Sequence, residues 1–384
     1  MIALIFNKKN GWETSKGFEM KEVSAPALNE KENKTDAHAV IIKVHYAGVC
    51  GSDRGIWLRH AFRDQILGSL EMEQKEHRIV GHEFFGEVVQ VGSRVEAEYH
   101  IRKGDFVSCE SHVICNQCFQ CVRGEKHVCT NEKILGISHD GAFAELVKVP
   151  AHIVWKTNTS KIRPEVAAMQ EPFGNAVHAA RKVDLRGKTV ALCGLGPIGL
   201  FAALVAKGLG ASTIIGIEPN EKAASMAREL GVDYVIPLKP QEKTHPFEHD
   251  QNIVKEIFEI TGGIGVDVSF EMAGFNSSVN NAILSTRRGG DVILFGIKSG
   301  NFTIEHYDRL IVRGLTLHAV IGRRVFETWE TTRSLLEDTR NGIQEKMFNV
   351  ILQRGEGTIL PIKDYTVERF EQMMLHHPKI LIQF

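Results

Sequence analysis

The hexapeptide Gly194-Leu195-Gly196-Pro197-Ile198-Gly199 directly follows the apolar run Thr189 to Cys193 and opens an alanine-rich segment, Ile198 to Leu209. A strand that turns on G-x-G-x-x-G into a helix commits this stretch to a βαβ unit and hence to a parallel sheet. The first glycine suits the tight turn, the second lets the backbone approach a pyrophosphate, and the third permits close packing of helix on strand. Pro197 suits a first helical turn, where its missing N–H costs nothing. A second strand, Thr213 to Ile217, ends at Glu218, nineteen residues past Gly199. An acid there accepts hydrogen bonds from the hydroxyls of an adenosine ribose and repels a 2'-phosphate, which favours NAD over NADP.

The same texture continues downstream. Short apolar strands at Tyr234 to Ile236, Val266 to Glu271, Asp291 to Phe295 and Leu315 to Val320 alternate with helical segments at Glu221 to Leu230, Asn252 to Ile260 and Ser278 to Ser285. That alternation is the mark of a doubly wound sheet. Upstream the chain reads as β-rich, with apolar runs such as Val40 to Val44, Gly86 to Val91 and Phe106 to Cys109 between glycine and charged turns. Asn29 to Ala37 reads as a surface loop, and the charged stretch Arg59 to Arg78 as an excursion that contains a helix. Beyond Thr328 the pattern is mixed again, with an amphipathic Thr328 to Thr339 and a closing strand, Ile380 to Phe384. At 384 residues the chain is long enough for two domains.

Four cysteines, Cys115, Cys118, Cys121 and Cys129, are spaced C-x2-C-x2-C-x7-C. Two-residue spacers let neighbouring thiolates converge on one tetrahedral Zn(II), and four sulfurs make a closed, structural site. Iron–sulfur ferredoxins share the first three cysteines of such a run, but their fourth follows after three residues and precedes proline. Here seven residues intervene and Thr130 follows. Disulfides are the remaining reading; clustered cysteines in a chain without a visible signal peptide point instead to metal. Cys109 and Cys193 read as buried free thiols.

Three further motifs are ambiguous singly: Gly48-Val49-Cys50-Gly51-Ser52-Asp53, Gly81-His82-Glu83, and Gln170 to His178, which contains Glu171-Pro172-Phe173-Gly174-Asn175-Ala176-Val177. Together with the cysteine loop and the glycine fingerprint, in this order, they resemble the zinc-dependent medium-chain dehydrogenases over nearly the whole chain. Within that superfamily the segment Glu171 to Val177, and Gly322-Arg323 followed by Glu327-Thr328-Trp329, resemble the L-threonine 3-dehydrogenases most. The resemblance implies an α/β fold in which a Rossmann domain (166–319) carries the cofactor. A β-rich, GroES-like catalytic domain (1–165 and 320–384) would carry two zincs, one catalytic and one structural.

Carried over position by position, the resemblance makes Cys50, His82 and Glu171 the catalytic zinc ligands and Glu83 an adjacent acid that ligates or supports the metal. Ser52 stands where the family has threonine, and either hydroxyl can relay a proton. His112 matches a histidine associated with the substrate pocket, and Asp53 orients backbone or a metal ligand. Such a site needs three protein ligands and an open position, so that the metal can act as a Lewis acid on an alcohol oxygen. Two departures stand out. Thirty-one residues separate Cys50 from His82, more than is usual in the family, and its Gly-Lys before the last strand appears here as His377-Pro378-Lys379. The implied reaction is NAD-dependent oxidation of a secondary alcohol, L-threonine at C3 first and a polyol or sugar second. A nicotinamide-binding protein without turnover is the third reading.

Lys plus Arg (46) and Asp plus Glu (47) nearly cancel, giving a net charge of -1. No bulk basic field recruits nucleic acid or an acidic membrane surface. The apolar start, Met1 to Phe6, is too short to span a bilayer. These features lead us to expect a cytoplasmic protein whose partners are a small alcohol and copies of itself, a homotetramer by the family resemblance.

Overall fold

The computed structural model describes residues 1–238, 245–297 and 300–384. Its contacts divide the chain into one unit of Met1–Pro172 with Met347–Phe384 and a second of Phe173–Lys346.

In the first unit a seven-stranded sheet is built on the strand Ala39–Gly48. This strand pairs antiparallel with Glu83–Val91, with Leu146–Pro150 and with the closing strand Leu381–Gln383. The register sets Gly48 opposite Glu83 on one side and Leu381 on the other. Three segments remote in sequence therefore meet at one end of the sheet: Cys50 lies two residues beyond Gly48, His82 directly precedes Glu83, and Lys379 lies two residues before Leu381. Beside them, Phe18, Trp57 and Phe370 pack edge-on or tilted within a continuous apolar core, which fixes this corner of the unit. The charged excursion Arg59 to Arg78 contains the helix Arg63–Met72 and ends in the short strand His77–Ile79. Arg78, wholly buried, pins it by donating to Asp140, Glu73 and the Ser69 hydroxyl.

The second unit holds a six-stranded parallel sheet. Numbered along the unit, its strands lie in the order 3-2-1-4-5-6: Tyr234–Pro237, Thr213–Glu218, Thr189–Cys193, Val266–Glu271, Thr286–Leu294 and Thr316–Ala319. This is the doubly wound arrangement, whose strand order reverses beside Thr189–Cys193 and leaves a crevice at the carboxyl ends. The helix Pro197–Gly208 that follows the glycine loop buries eight of its residues. Such a helix, apolar nearly all round, belongs against a sheet rather than at the surface.

The boundaries differ from those expected. The first falls after Pro172 rather than after residue 165, and the last falls at 346/347 rather than 319/320. The segment after the last parallel strand stays with the dinucleotide unit because it is anchored there. Arg323 donates to Asn175 Oδ1 (2.8 Å), Lys346 Nζ donates to the Leu230 carbonyl (2.8 Å), and Trp329 is buried. Among the described residues no helix is long and apolar enough to cross a membrane.

Candidate metal centres and nucleotide crevice

The helix Gly51–Trp57 starts where the central strand ends, and its first turn aims two side chains at His82. Asp53 caps this turn by accepting the Cys50 N–H through Oδ2 (2.9 Å) and brings Oδ1 to 3.7 Å from His82 Nδ1. Ser52 Oγ lies 3.4 Å from His82 Nε2 on the opposite side of the ring. One histidine nitrogen is thus backed by a carboxylate while the other stands beside the Ser52 hydroxyl, and a carboxylate behind one nitrogen is the arrangement that orients an imidazole as a metal ligand. Burial, followed by opposing attraction to His82, leaves the Asp53 carboxyl pushed up to about 6. Burial disfavours charge on His82, but the neighbouring Asp53, Cys50 and Glu171 outweigh it and draw its proton affinity well above the ordinary value.

Ligand atoms of Cys50, His82 and Glu83 all lie within 4.8 Å of one another. Glu171 is buried at the start of the helix Gln170–Ala180 and acts electrostatically on His82, though it lies outside that closest triad. The polar atoms His82 Nδ1, Asp53 Oδ1 and Glu83 Oε1 are buried without a hydrogen-bond partner. Buried, unpaired polar atoms beside convergent thiol, imidazole and carboxylate donors fit a divalent cation with an open position.

Lys379, which the sequence marked only as a departure, turns out to be part of this corner. Its side chain is 2% exposed, its Nζ pairs with Glu83 Oε2, and it donates to the Val49 carbonyl at 3.0 Å. Gly48 has no Cβ to occupy the space that the Glu83 carboxylate takes.

The four loop cysteines also converge within 4.8 Å. Their sulfurs stand 3.5 Å (Cys129 to Cys115) and 3.8 Å (Cys118 to Cys129) apart, far beyond a disulfide bond, and all seven cysteines are free thiols. The Cys115 N–H donates to Cys129 Sγ (3.4 Å) and the Cys118 N–H to Cys115 Sγ (3.3 Å). Donation to sulfur favours thiolate, and the Cys121 N–H, aided by Thr130, brings Cys118 down to about 5, whereas burial pushes Cys121 up to about 12 and raises Cys129. The set suits a closed four-thiolate site. His112 is placed beside this loop rather than among the first donors, on the short strand His112–Val113, with Nδ1 2.7 Å from Glu132 Oε2. Cys109 and Cys193 are buried, as expected.

In the second unit the three glycines are separated by what a Cβ would meet. Gly194 has φ +101° and lies close against Ala273; at Gly199 a Cβ would strike the Gly194 carbonyl oxygen; at Gly196 it would meet open space. The middle glycine therefore faces the crevice, where a backbone without side chains can approach an anion at the amino end of a helix. Pro197 is the first residue of that helix, and Ile198, half-buried, is the second. Glu218 Oε2 accepts the Leu195 N–H (2.8 Å) and Oε1 the Asn220 N–H (3.0 Å), so this acid braces the glycine loop while it lines the crevice. Gly194, Gly196, Glu218, Leu238, Met272 and Phe275 enclose about 560 Å³ there. Within the second unit, two segments distant in sequence also meet: His178 Nδ1 lies 2.9 Å from the Gly322 carbonyl and Arg323 bonds Asn175.

A family profile described as Alcohol dehydrogenase GroES-like domain matches residues 36–159, and one described as Zinc-binding dehydrogenase matches residues 197–338. L-threonine 3-dehydrogenase of Pyrococcus horikoshii is 38% identical over 321 residues, 84% of this chain and 84% of that protein. The chain belongs to the zinc-binding dehydrogenases. The L-threonine 3-dehydrogenase of Bacillus subtilis is 34% identical over 301 residues, 78% of this dehydrogenase and 81% of its own length. Among solved structures, the alcohol dehydrogenase of Thermus sp. ATN1 shares the fold with a TM-score of 0.80 at 24% identity, covering 100% of this chain and 99% of that one. The 2R,3R-butanediol dehydrogenase of Bacillus subtilis gives 0.78 at 25% identity with the same coverage. The dehydrogenase therefore combines a GroES-like domain with a Rossmann domain, and acts on an alcohol with zinc and a nicotinamide cofactor.

Proposed function

We propose that this dehydrogenase oxidises the C3 hydroxyl of L-threonine to 2-amino-3-ketobutyrate with NAD, and that it works as a homotetramer with two zincs per chain. The observation that carries the reading is the similarity to threonine dehydrogenases at 34 to 39% identity, with 78 to 89% of the chain matched. In this reading Cys50, His82 and Glu171 hold the catalytic metal, with Glu83 beside it, and Cys115, Cys118, Cys121 and Cys129 hold the structural one. When bound, zinc supplies Lewis acidity to a hydroxyl oxygen and the nicotinamide supplies a hydride acceptor.

The chain's own residues do the rest. Asp53 fixes the His82 ring, and Lys379 holds the Glu83 carboxylate. Ser52, 3.4 Å from His82 Nε2, gives the substrate proton a first hydroxyl on its way out of a buried site. Glu218 keeps acceptor capacity on both oxygens after bracing the loop, since each carboxylate oxygen can accept more than one hydrogen bond.

A panel of threonine, sorbitol, butanediol and glucose, each with NAD, tests the substrate. We expect NADH from threonine; NADH from a polyol or glucose and none from threonine would replace this reading with the second, which the likeness to a butanediol dehydrogenase favours. For the cofactor, Glu218→Ala is expected to weaken NAD use by roughly 10- to 100-fold, the worth of hydrogen bonds to a charged group, and to narrow the preference over NADP. Steady-state kcat/KM for both nucleotides checks this, and an unchanged ratio would remove Glu218 from the choice.

A further inference from the structure

At the amino ends of the strands Val266–Glu271 and Thr286–Leu294, opposite the end that carries the nucleotide crevice, the surface folds into a pocket of about 320 Å³. Phe258, Ile264, Arg287, Arg288 and Arg313 line it. The arginines are not equivalent. Arg287 is neutralised by Asp267 (Nε to Oδ1, 2.6 Å), and the other oxygen of that carboxylate accepts the Thr189 N–H at 2.8 Å. The acid is thus fully engaged.

Arg313, half-buried, has no such partner. Its Nη1 donates to the carbonyls of Leu284 (2.8 Å) and Thr286 (3.3 Å), and its guanidinium stands 5.9 Å from the Phe258 ring. Arg288 is exposed and donates only to the Val312 carbonyl, at 3.4 Å. Among the described residues no carboxylate forms an ion pair with Arg288, Arg309 or Arg313. Burial first, and then the positive charges of Arg309 and Arg288, depress the proton affinity of Arg313.

Arg288 and Arg313 thus face one pocket without an acid of their own, the positive Arg309 bears on Arg313 as well, and two neutral carbonyls hold Arg313 in a fixed pose with nitrogens to spare. That is the preorganised half of an oxyanion site, because guanidinium groups match phosphate with paired N–H donors. We propose that this pocket binds a compact multivalent oxyanion, either free phosphate or the phosphate group of a small metabolite, through Arg288 and Arg313. Its place at the amino ends of the strands separates it from the cofactor's own phosphates, which belong to the glycine loop at the carboxyl ends.

The test titrates inorganic phosphate, and in a second arm glycerol 3-phosphate, into the enzyme saturated with NADH, which keeps the glycine loop occupied. Calorimetry against chloride at matched ionic strength is expected to show one site per chain in the wild type, weakened tenfold or more in Arg288→Gln/Arg313→Gln. Tighter binding of the monoester would identify a phosphorylated metabolite as the ligand; equal or weaker binding would identify free phosphate. If the Arg313 change prevents folding, Arg288→Glu alone, at an exposed position, is expected to abolish the site. No saturable binding beyond that of chloride, or binding unchanged in these variants, would overturn the proposal.

Discussion

Replacing Cys50 with alanine is expected to remove one of the two proposed zincs and to lower kcat/KM for the alcohol by about 10³-fold or more, while the fold survives. The size follows from the chemistry. A Lewis acid at the reacting oxygen is worth several kcal/mol of transition-state stabilisation, and each 1.36 kcal/mol is a factor of about ten in rate. Cys50 is the only thiol in its cluster, so its loss leaves imidazole and carboxylate, a weaker set for zinc. The fold should tolerate the change, since Cys50 is half-buried at the start of a helix whose cap uses its backbone N–H and the Asp53 carboxylate. Cys121→Ser is the counterpart. It should also remove one zinc, but from the loop, so that a lowered thermal midpoint appears before any selective change in turnover. Metal content by emission spectroscopy, read beside kcat/KM, separates the two sites. Two zincs and activity within tenfold of wild type in Cys50→Ala would take the reacting metal away from this cluster.

Much of the dinucleotide unit can be read directly from the chain, because a parallel sheet covered on both faces makes each strand a continuous apolar run. Thr189–Cys193 and Val266–Glu271 have the bounds their side chains suggest, as does the helix Glu221–Leu230, capped by Asn220 and ended at Gly231. Reading fails where pairing, not side chain, decides. The strand Thr286–Leu294 begins five residues before the expected start at Asp291 because the polar Arg287 to Gly290 are carried along as its pairing with Val266–Glu271 shifts register between Val266 and Val268. The strand Ala39–Gly48 likewise continues past Val44 through His45 and Tyr46 because strands lie on both sides of it.

The candidate metal residues are visible as short glycine-flanked motifs, and the structure gathers Cys50, His82 and Glu83. Two supporting residues were harder to read. Asp53 looks like a helix cap and is one, yet it also backs His82. Lys379 lies almost three hundred residues from Glu83 in sequence, and only the register of the closing strand against Gly48 brings them together. No local pattern carries that information.

That register makes Lys379→Met the most informative stability variant. Lys379 is 2% exposed and Glu83 0%, so the substitution leaves a carboxylate in the interior without the ammonium that pairs with it. Breaking one side of a buried ion pair costs about 3–5 kcal/mol, because the surviving charge keeps its desolvation penalty and loses its attraction. The Val49 carbonyl also loses its donor. A fall of about 10 °C in the thermal midpoint is expected. Adding Glu83→Gln should recover most of the fall, since a neutral amide needs no countercharge and replacing both members of a buried pair is far cheaper than removing one. The recovery distinguishes electrostatics from packing: a mere cavity at the substituted position would persist in the double variant. Thermal unfolding of the wild type, both single variants and the double variant closes the cycle. If Lys379→Met melts within about a degree of wild type, Glu83 is held by something other than Lys379; if the double variant melts as low as Lys379→Met, the lysine contributes through its aliphatic packing and not its charge.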